Sequence, residues 1–511
     1  MVAFLAQATD VFHGPSVDWW SLSPLIVLLA AGLALLVGAA LSPRAWPRGF
    51  YALATGAAAL TAGILQMVLW RDVVHRGPKG LVNDAIVIDG PSLFLGITIC
   101  AAVVLAAAIT DSYLRREDLD GPEVYGLYLL AALGGLVMAS ANDLIVLFLG
   151  LETLSLALYV LAASHRKRIE SQEAGIKYFV LGGFSSAFFL YGVALVYGAT
   201  GTTKLRGVDS IKAALVANIE IGRHRALLLV GIALMLVGLG FKVAAVPFHS
   251  WTPDVYEGAP TPVTGFMASA AKAAAFGALL RALVFAMPEA RADWRPVIWA
   301  LAVLTLVTGS LLAVVQTNVK RMLAYSSISH AGFILVGVEA ASHVGDADHR
   351  GLSSTMFYLL TYAVLVSGTF AVVTLVGRTG DAAHDLGSYE GLGKRRPILA
   401  LILTVFLLAQ AGVPLTSGFV AKFGVIAAAS DTHSYALAVV AMLAAVIAAF
   451  LYLRIIVSMF LEEGDAPGEA VALPLGTALA VGASALFTLW VGFFPGWLLR
   501  VAREAASRVF S

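Results

Sequence analysis

The sequence has little of two things that many enzymes rely on, cysteine and charge. Among its 511 residues there is one cysteine, Cys100, and only 13% are Asp, Glu, Lys or Arg. One cysteine within an apolar run cannot supply a disulfide, a thiolate zinc site or a cysteine-ligated iron–sulfur cluster. Soluble globular proteins contain about 25% charged residues, so this composition excludes an ordinary cytosolic enzyme.

The chain also lacks a large net charge and a phosphate-binding loop. Its formal net charge is +1, which gives no reason to expect a nucleic-acid partner. Gly238 and Gly240 form only a fragment of a dinucleotide motif, and they lie in an apolar run. Met1 to Trp20 has neither a basic region nor a small-residue cleavage site, which predicts that no signal peptide is removed. We expect no cofactor or metal to be bound by this chain itself.

Apolar residues dominate instead, at 59% of the chain, with a mean hydropathy of +0.87. They form blocks of about 20 residues, the length that crosses a bilayer core as a helix. Only helices or closed barrels satisfy the backbone inside lipid, and these blocks are too uniformly apolar for barrel strands. The sequence therefore predicts an all-α polytopic membrane protein with about fourteen spans. They start near Leu22, Phe50, Pro91, Val124, Asp143, Gly175, Ala226, Thr261, Pro296, Met322, Ser354, Ile398, Ser434 and Val471.

An even number of spans places both ends of the chain on one face. The loops after odd-numbered spans carry 13 Lys and Arg, against 9 elsewhere when the long connection at 199–225 is left out. This excess predicts that the odd loops are cytoplasmic. The long connection contains an amphipathic stretch, Asp209 to Ile221, which is expected to lie on the membrane surface.

A few ionisable residues interrupt the apolar blocks, and each is costly enough to need a reason. Glu152 lies in the middle of span 5, where it is expected either to titrate on an ion path or to pair with a buried cation. Lys242 precedes Pro247, which predicts a helix break just after the lysine. Broken helices mark ion sites in transporters, and a buried lysine can exchange a proton where arginine cannot.

Two further lysines lie in comparable surroundings. Lys272 is flanked by alanines that allow close helix packing and offer the ammonium few local partners. Lys422 follows Gly412 and Pro414, so a Pro/Gly-interrupted span with a lysine occurs twice, in spans 7 and 12. Paired interruptions of this kind predict a repeat five helices long, with functional sites at the breaks.

The remaining polar positions permit more than one interpretation. His330 could relay protons or simply pack. Arg454 and Arg281 are expected to be structural cations, because arginine does not titrate. Lys177 and His249 lie near span ends and are expected to be interfacial. A row of single titratable groups suits proton movement better than the binding of a bulky solute, so a solute transporter and a purely structural scaffold are weaker hypotheses.

Three segments resemble the antiporter-like subunits of respiratory complex I and their relatives. They are FKVAAVPFHSWTPDVYEGAPTPVTGFMASAAKAAAF, NVKRMLAYSSISHAGF and GVPLTSGFVAKF. The resemblance runs from about Val124 to about Phe460. The form WTPDVYEGAPTP is similar to the N-subunit branch of bacterial proton-translocating NADH:quinone oxidoreductases. Cation/proton antiporter and membrane-bound hydrogenase subunits share the fold and are the alternative.

The resemblance implies fourteen helices, two inverted five-helix repeats, and breaks in helices 7 and 12 at Pro247 and Pro414. It implies three N-terminal helices (1–123), repeats at 124–290 and 291–462, and a last helix with its tail (463–511). Both termini would face outward. The family's proton-carrying positions fall on Glu152, Lys242, Lys272 and Lys422, and His330 matches a position in its central polar axis.

The function implied is proton translocation in a bacterial plasma (inner) membrane, as a subunit of an NADH:quinone oxidoreductase. Electron transfer would occur in other subunits, so FMN, iron–sulfur clusters and quinone are expected there. The implied partners are the membrane-arm subunits M and L, the small subunits K, J, A and H, and the lipid bilayer. Moving Glu152 away from Lys242 would pass a proton towards Lys272 and Lys422.

Overall fold

The computed structural model describes residues 17–41, 47–119, 121–217, 221–343, 349–462 and 473–510. Within these ranges, 13 helices are long and apolar enough to cross a membrane. The twelfth expected span is present as two shorter helices, so the all-α fold with fourteen spans is confirmed. The expectation about a signal peptide falls largely on residues 1–16, and part of the last domain on 463–472. Both segments lie outside the described residues.

The first six spans are continuous helices. They are α1 (Ser23–Leu41), α2 (Arg48–Arg76), α3 (Gly90–Arg116), α4 (Pro122–Ser140), α5 (Leu144–Ala162) and α6 (Ile169–Thr200). A two-stranded antiparallel hairpin, β1 (Lys79–Leu81) and β2 (Ile86–Ile88), joins α2 to α3 and pairs Gly80 with Val87. The long connection after α6 holds the short helix α7 (Ile211–Ala217), with Ile211 and Leu215 buried. That agrees with the expected amphipathic stretch, of which 218–220 lie outside the described residues.

The remaining spans include both interrupted ones. Span 7 comprises α8 (Ile221–Val243) and α9 (Trp251–Gly258), and span 8 comprises α10 (Thr261–Phe266), a π-helical turn (Met267–Ala271), α11 (Lys272–Leu279) and a second π-helical turn (Leu280–Phe285). A short 3₁₀ turn (Pro288–Ala290) leads into spans 9 to 11, which are α12 (Arg291–Val314), α13 (Val319–Ala341) and α14 (Arg350–Val376). Two 3₁₀ turns (Thr379–Asp381 and Leu386–Tyr389) and α15 (Leu392–Arg395) precede span 12, formed by α16 (Pro397–Ala411) and α17 (Ser417–Asp431). The chain ends with α18 (Tyr435–Leu461), α19 (Leu475–Phe493) and the short helix α20 (Gly496–Ser507).

Two helices begin earlier than hydropathy predicts. The sixth starts at Ile169 rather than near Gly175, and the ninth at Arg291 rather than near Pro296. Backbone hydrogen bonding does not stop at the edge of an apolar block, so polar first turns extend the helix beyond it. The ninth helix starts at the boundary expected between the two repeats, and α4 starts at Pro122, beside the boundary expected at 124.

The helices pack as two copies of one arrangement. Span 4 packs along span 5, and span 6 along span 7; the second half repeats this with spans 9 and 10 and with spans 11 and 12. Successive spans alternate in direction, and five is an odd number. The second set of five therefore runs through the membrane in the opposite sense to the first.

At the interruption of span 7, side chains form hydrogen bonds with backbone groups near the break. Helix α8 ends at Val243, one residue after Lys242. The indole Nε1 of Trp251 donates to the Phe241 carbonyl at 3.0 Å. Thr305 Oγ1 accepts from the Val246 amide at 2.9 Å. Because an unpaired backbone group in lipid costs several kcal/mol, these contacts allow a helix break inside the membrane.

The interruption of span 12 depends on glycine. Gly412 has φ +93°, a conformation that favours glycine, and it ends α16. At Gly418, in the first turn of α17, a Cβ atom would lie 1.9 Å from the Ala409 carbonyl oxygen. The two half-helices therefore approach each other more closely than any larger residue would allow.

The buried carboxylate of Asp381 contacts residues at or beside the loops that follow odd-numbered spans. It accepts from Thr261 Oγ1 at 2.7 and 2.9 Å and contacts His384 Nε2 at 2.8 Å. It also forms ion pairs with Arg168 at 3.2 Å, Lys320 at 3.3 Å and Arg116 at 3.7 Å. We call Asp381 and these five partners the Asp381 cluster. These partners come from the loops after spans 3, 5, 7, 9 and 11. Their meeting at one carboxylate shows that the five loops share a face.

The charge of Asp381 is held in place by its neighbours. Burial alone would raise the pKa of this carboxyl, but the Lys320 ammonium and the hydrogen bond from His384 hold the pKa well below its usual range. Lys320 is itself fully buried and also donates to the Ala259 carbonyl at 2.7 Å. The cluster thus ties the end of span 7 and the start of span 8 to the rest of this face.

A second buried pair occupies the opposite face. Arg281 donates to Asp89 with Nη2–Oδ1 at 2.5 Å and Nη1–Oδ2 at 2.9 Å, and its Nε donates to the Ala139 carbonyl at 2.9 Å. Asp89 also caps α3 and accepts from the Phe510 amide at 3.2 Å. Asp18, ahead of α1, pairs with Lys79 at 2.8 Å on this same face. The described ends of the chain therefore lie on one side, as an even number of spans requires.

We expect Asp381→Asn to lower the unfolding temperature of the purified chain, measured by differential scanning fluorimetry. The amide would leave Lys320 buried without its counter-charge, and breaking a buried ion pair costs about 3–5 kcal/mol. A carboxyl with a lowered pKa stabilises the fold fully above its ordinary value of 3.8 and loses that contribution only as the pH falls. The loss should therefore be fully present at about pH 6, well above that value.

Glu123→Gln is the matched control, because that side chain lies on the same face and is 44% exposed. An Asp381→Asn chain that unfolds at the temperature of the unchanged protein would contradict the structural role of the cluster.

A buried lysine axis as candidate functional site

Lys242 and Glu152 lie near each other at one end of the interior. Lys242 is on the last turn of α8 and 8% exposed. Its Nζ lies 5.3 Å from the ring centroids of both Tyr159 and Tyr178. Glu152 is half-buried on α5, two helical turns before Tyr159, and its charge acts on Lys242. In the part of the chain that the structure describes, no ion pair joins them, and the buried Lys242 Nζ has no hydrogen-bond partner.

Lys272 lies at the centre of the protein and finds its partners on another helix. It is 3% exposed and follows the π-helical turn Met267–Ala271. Its Nζ donates to the carbonyl and to the hydroxyl of Ser327 on α13, at 2.5 and 2.6 Å. The sequence suggested few partners because its neighbours are alanines. The structure supplies them from span 10, and π-helical turns of this kind recur at functional sites.

An aromatic wall separates Lys242 from Lys272. Tyr178 stacks on Trp251 with ring centroids 4.5 Å apart, and Trp251 meets Tyr256 at 6.3 Å. The Tyr256 hydroxyl lies 3.4 Å from the hydroxyl of Ser327, which binds Lys272. The two lysines are therefore connected through aromatic side chains and the hydroxyls of Tyr256 and Ser327, and the described residues form no continuous hydrogen-bonded path between them.

His330 lies one turn after Ser327 on α13 and is held by tyrosines. Its Nδ1 is 2.6 Å from the Tyr358 hydroxyl, and its Nε2 is 3.3 Å from the Tyr452 hydroxyl. Its ring packs on Tyr362 at 4.6 Å, and Lys272 Nζ lies 5.4 Å from that same Tyr362 ring. On its other side, the Phe333 ring lies 6.4 Å from the His330 ring and contacts Lys422. This histidine is therefore placed between the two lysines.

Lys422 closes the axis at the second helix break. It is 5% exposed, donates to the Ala411 carbonyl at 3.0 Å, and lies 4.7 Å from the centroid of the Phe333 ring. Ala411 ends α16, so the negative end of that helix dipole faces the ammonium. The lysine thus satisfies a carbonyl that the break sets free, and the break in turn supplies the lysine with its partner.

Neutral side chains connect His330 to the second break. The Tyr452 hydroxyl is 2.6 Å from Ser326 Oγ, and Ser326 Oγ donates to Gln410 Oε1 at 3.3 Å. Gln410 directly precedes Ala411, the acceptor for Lys422. Sequence reasoning missed these groups because none of them ionises near neutral pH. The spacing of Ser326, Ser327 and His330 on one helix was the available signal, since residues three and four apart share a face.

The structure places the other candidates away from this axis. Arg454 donates to the carbonyls of Val314 and Gln316, both at 2.8 Å, and so caps the end of α12. Lys177 is 41% exposed and pairs with Glu173 and Asp254, both at 2.7 Å. Arg281 forms the pair with Asp89. Among the described residues, no group of three or more His, Cys, Asp or Glu is arranged to hold a metal ion.

Comparisons with known proteins agree with this architecture. A model of the family described as NADH:quinone oxidoreductase/Mrp antiporter, transmembrane, matches residues 141–448. The NADH-quinone oxidoreductase subunit N of Rhodococcus opacus is 42% identical, over 98% of both chains. The protein of the same name from Trichlorobacter lovleyi is 41% identical, over 95% of this chain and 96% of its own.

Solved structures of membrane complexes contain chains with a similar fold. A chain of respiratory complex I from Thermus thermophilus is 32% identical, with a TM-score of 0.76, over 94% of this chain and 99% of its own. A chain of the archaeal membrane-bound sulfane sulfur reductase is 27% identical, with a TM-score of 0.81, over 96% and 97%. The Mrp complex of Dietzia, at 23% identity and a TM-score of 0.81 over 96% and 97%, supports the fold alone.

Two inverted repeats with a lysine at each helix break define the class of antiporter-like membrane subunits. The chain belongs to the NADH:quinone oxidoreductase/Mrp antiporter family, within the branch of the N subunits of complex I.

We expect the axis lysines to resist a water-soluble amine-acylating reagent in the folded, detergent-extracted chain, with Lys167 modified instead. Lys167 is exposed, whereas Lys242, Lys272 and Lys422 are buried. Mass spectrometry of peptides before and after unfolding in sodium dodecyl sulfate would measure this. Modification of the buried lysines at the rate of Lys167 in the folded chain would contradict their placement.

Proposed function

We propose that this chain translocates protons along the axis Glu152, Lys242, Lys272, His330 and Lys422, as the N subunit of an NADH:quinone oxidoreductase. The observation that carries the proposal is a series of buried polar contacts between Lys272 and Lys422. Lys272 donates to Ser327, Tyr452 contacts both His330 and Ser326, Ser326 donates to Gln410, and Lys422 donates to the carbonyl of the next residue, Ala411. Transfer from Ser327 to His330 and from Gln410 to Lys422 would use transient water or side-chain movement. Hydroxyl, imidazole and ammonium groups can each donate and release a proton. A series of single proton carriers needs no cavity wide enough to admit another ion.

The first step of the proposed mechanism concerns Glu152 and Lys242. When the carboxylate is close, its charge favours the protonated lysine. When a conformational change moves it away, Lys242 remains with only the faces of Tyr159 and Tyr178, and its proton passes towards Lys272. The aromatic wall between the two lysines would make this transfer depend on transient water or on movement of Tyr256.

The later steps use fixed partners. Lys272 is bound to Ser327, and its proton would pass through the Tyr452 and His330 groups to Lys422. Each breakpoint places a lysine beside the end of a helix, where a small movement of α9 or α17 changes the partners of the ammonium. Lysine suits this role because it can lose its proton in a dry interior, whereas arginine stays charged.

The driving reaction would take place in other chains. We infer that FMN, the iron–sulfur clusters and the quinone site belong to partner subunits. The partners proposed are the antiporter-like subunits M and L and the small subunits K, J, A and H. The location proposed is a bacterial plasma (inner) membrane, with the Asp381 face towards the cytoplasm, because the loops of that face carry the excess of Lys and Arg.

A cation/proton antiporter or membrane-bound hydrogenase subunit would use the same fold and the same lysines. The Dietzia Mrp structure has that fold, but at 23% identity it does not favour that function. The near-full-length relatives at 41–43% identity carry the subunit N name, which supports the oxidoreductase.

We expect Lys272→Met to lower the initial rate of NADH-driven proton uptake by about tenfold or more, since a positioned proton-transfer group typically contributes at least that much. Methionine keeps the length and flexibility of the side chain but cannot carry a proton. The measurement is the quenching of a pH-sensitive dye in inverted membrane vesicles, with NADH oxidation recorded in parallel. Lys167→Met is the matched control. Unchanged proton uptake with normal incorporation into the complex would contradict the role of Lys272.

Tyr452→Phe tests the chain of neutral groups. It removes the hydroxyl that joins Ser326 to His330 and keeps the ring, so we expect about a two- to fivefold fall in proton uptake, equivalent to the loss of one hydrogen bond. The control is Tyr435→Phe on the same helix, where the ring is 59% exposed. Equal proton uptake by the two variants would exclude Tyr452 from the path without affecting the assignment of Lys272.

A further inference from the structure

A cavity of about 1000 Å³ opens on the Asp381 face, away from the lysine axis. It lies between the ends of α3 and α14 and the starts of α16 and α19. Small-molecule sites in proteins measure about 300–1,000 Å³, so this cavity is at the upper end of that range. None of the proton-carrying residues lines it, and the proposed function does not account for it.

The end of the cavity nearest the loops is cationic. Four arginines line it, Arg116, Arg378, Arg395 and Arg396, and no acidic residue is among the described lining residues. Arg116 is paired with Glu117 at 2.7 Å, and Arg395 donates to the Glu390 carbonyl at 2.6 Å. The side chain of Arg378 is exposed and has no ion pair or hydrogen bond within the described part of the chain. Within the described residues, no ion pair neutralises Arg378 or Arg395, and the buried Nε of Arg395 has no hydrogen-bond partner there.

The other end is apolar and extends along membrane-spanning helices. Ile398 and Ile402, one turn apart on α16, form one wall. Ala478 and Gly482, one turn apart on α19, form the opposite wall. Ile398, in the first turn of α16, is 75% exposed. The cavity is thus amphipathic, with its charged end at the membrane surface and its apolar end directed into the hydrocarbon.

We propose that this cavity binds an anionic phospholipid, with its phosphate at Arg378 and Arg395 and one acyl chain between α16 and α19. Guanidinium groups bind phosphate oxygens through paired hydrogen bonds. Basic pockets between membrane helices on the cytoplasmic side are suited to anionic head groups. A zwitterionic head group would bring a second cation against the arginines. Inorganic phosphate would leave the apolar walls uncovered.

The test uses the tagged full-length chain, in the assembly with which it is extracted by mild detergent. The sample is delipidated, then incubated with vesicles of equal amounts of phosphatidylglycerol and phosphatidylcholine, and the lipid retained after re-extraction is measured by mass spectrometry. Arg378→Gln/Arg395→Gln should retain about fivefold less phosphatidylglycerol, because charged hydrogen bonds to phosphate are lost. Phosphatidylcholine retention should not change.

A second variant keeps the charges and fills the apolar end. Gly482→Phe is suited to this, because a Cβ atom at that position meets nothing within 4 Å. We expect it to lower phosphatidylglycerol retention to a similar extent. The matched controls are Gly183→Phe on α6, where a Cβ atom also meets nothing within 4 Å, and Arg166→Gln, whose side chain is 81% exposed on the same face.

Each of the following outcomes supports or overturns the proposed lipid site. Selective loss in both cavity variants, with both controls unchanged, supports the lipid site. Loss in the arginine variant alone indicates binding of an anion without its acyl chain and overturns the proposal. Full retention in both cavity variants, or equal loss in the controls, also overturns it. Because the readout is bound lipid, the result is independent of whether Lys272 carries protons.

Discussion

The constraint on which this structure depends is that a polar group in the membrane interior must find its partner within the protein. Breaking a helix there frees backbone groups, and burying an ammonium demands acceptors. At span 12 these two costs offset each other, because Lys422 binds the carbonyl of Ala411 at the break. At span 7 the freed groups are taken by Trp251 and Thr305 instead. Lys242 consequently keeps only aromatic neighbours and a nearby carboxylate.

Because of this difference between the two breaks, the polar contacts of the lysines become more complete from Lys242 to Lys272 and Lys422. Lys422 has a fixed acceptor and a helix end beside it, and Lys272 has both polar groups of Ser327. The pair of Lys242 and Glu152 has the least settled contacts of the set. A switch is best built where alternative arrangements differ little in free energy, which is why the proposed mechanism begins at Glu152.

Different buried ion pairs hold the helix ends together on the two faces of the protein. On one face the Asp381 cluster joins five loops through one carboxylate, and it includes contacts to both sides of the turn between spans 7 and 8. On the other face the pair of Asp89 and Arg281 holds the end of span 8 to the start of span 3 and to the chain's tail. Span 8, which carries Lys272, is thus anchored at both ends. The π-helical turn Met267–Ala271 lies between these anchors, and Arg281 itself lies in the second one, Leu280–Phe285.

Much of the architecture could be predicted from the sequence because its signals act locally. Apolar block length set the spans, and Pro247 and Pro414 marked the breaks at Val243 and Ala411. The same block-by-block reasoning located Glu152, Lys242, Lys272 and Lys422 within the spans. The paired breaks indicated a repeat five helices long, and the resemblance to antiporter-like subunits added its boundaries and its inverted orientation. Where local signals weaken, at the polar first turns of α6 and α12, the predicted starts were several residues late.

Partner choice was decided only by the tertiary structure. Lys272 is surrounded by alanines in the sequence, yet it binds Ser327, 55 residues away. Arg116 and Asp381 are 265 positions apart and meet at one face. Gln410 and Tyr452 are neutral side chains that draw no attention in the sequence, but they join His330 to the second break. Hydropathy and helix-breaking residues fix where a span begins and ends. Which spans become neighbours, and so which polar groups can satisfy one another, depends on packing between helices that are distant along the chain.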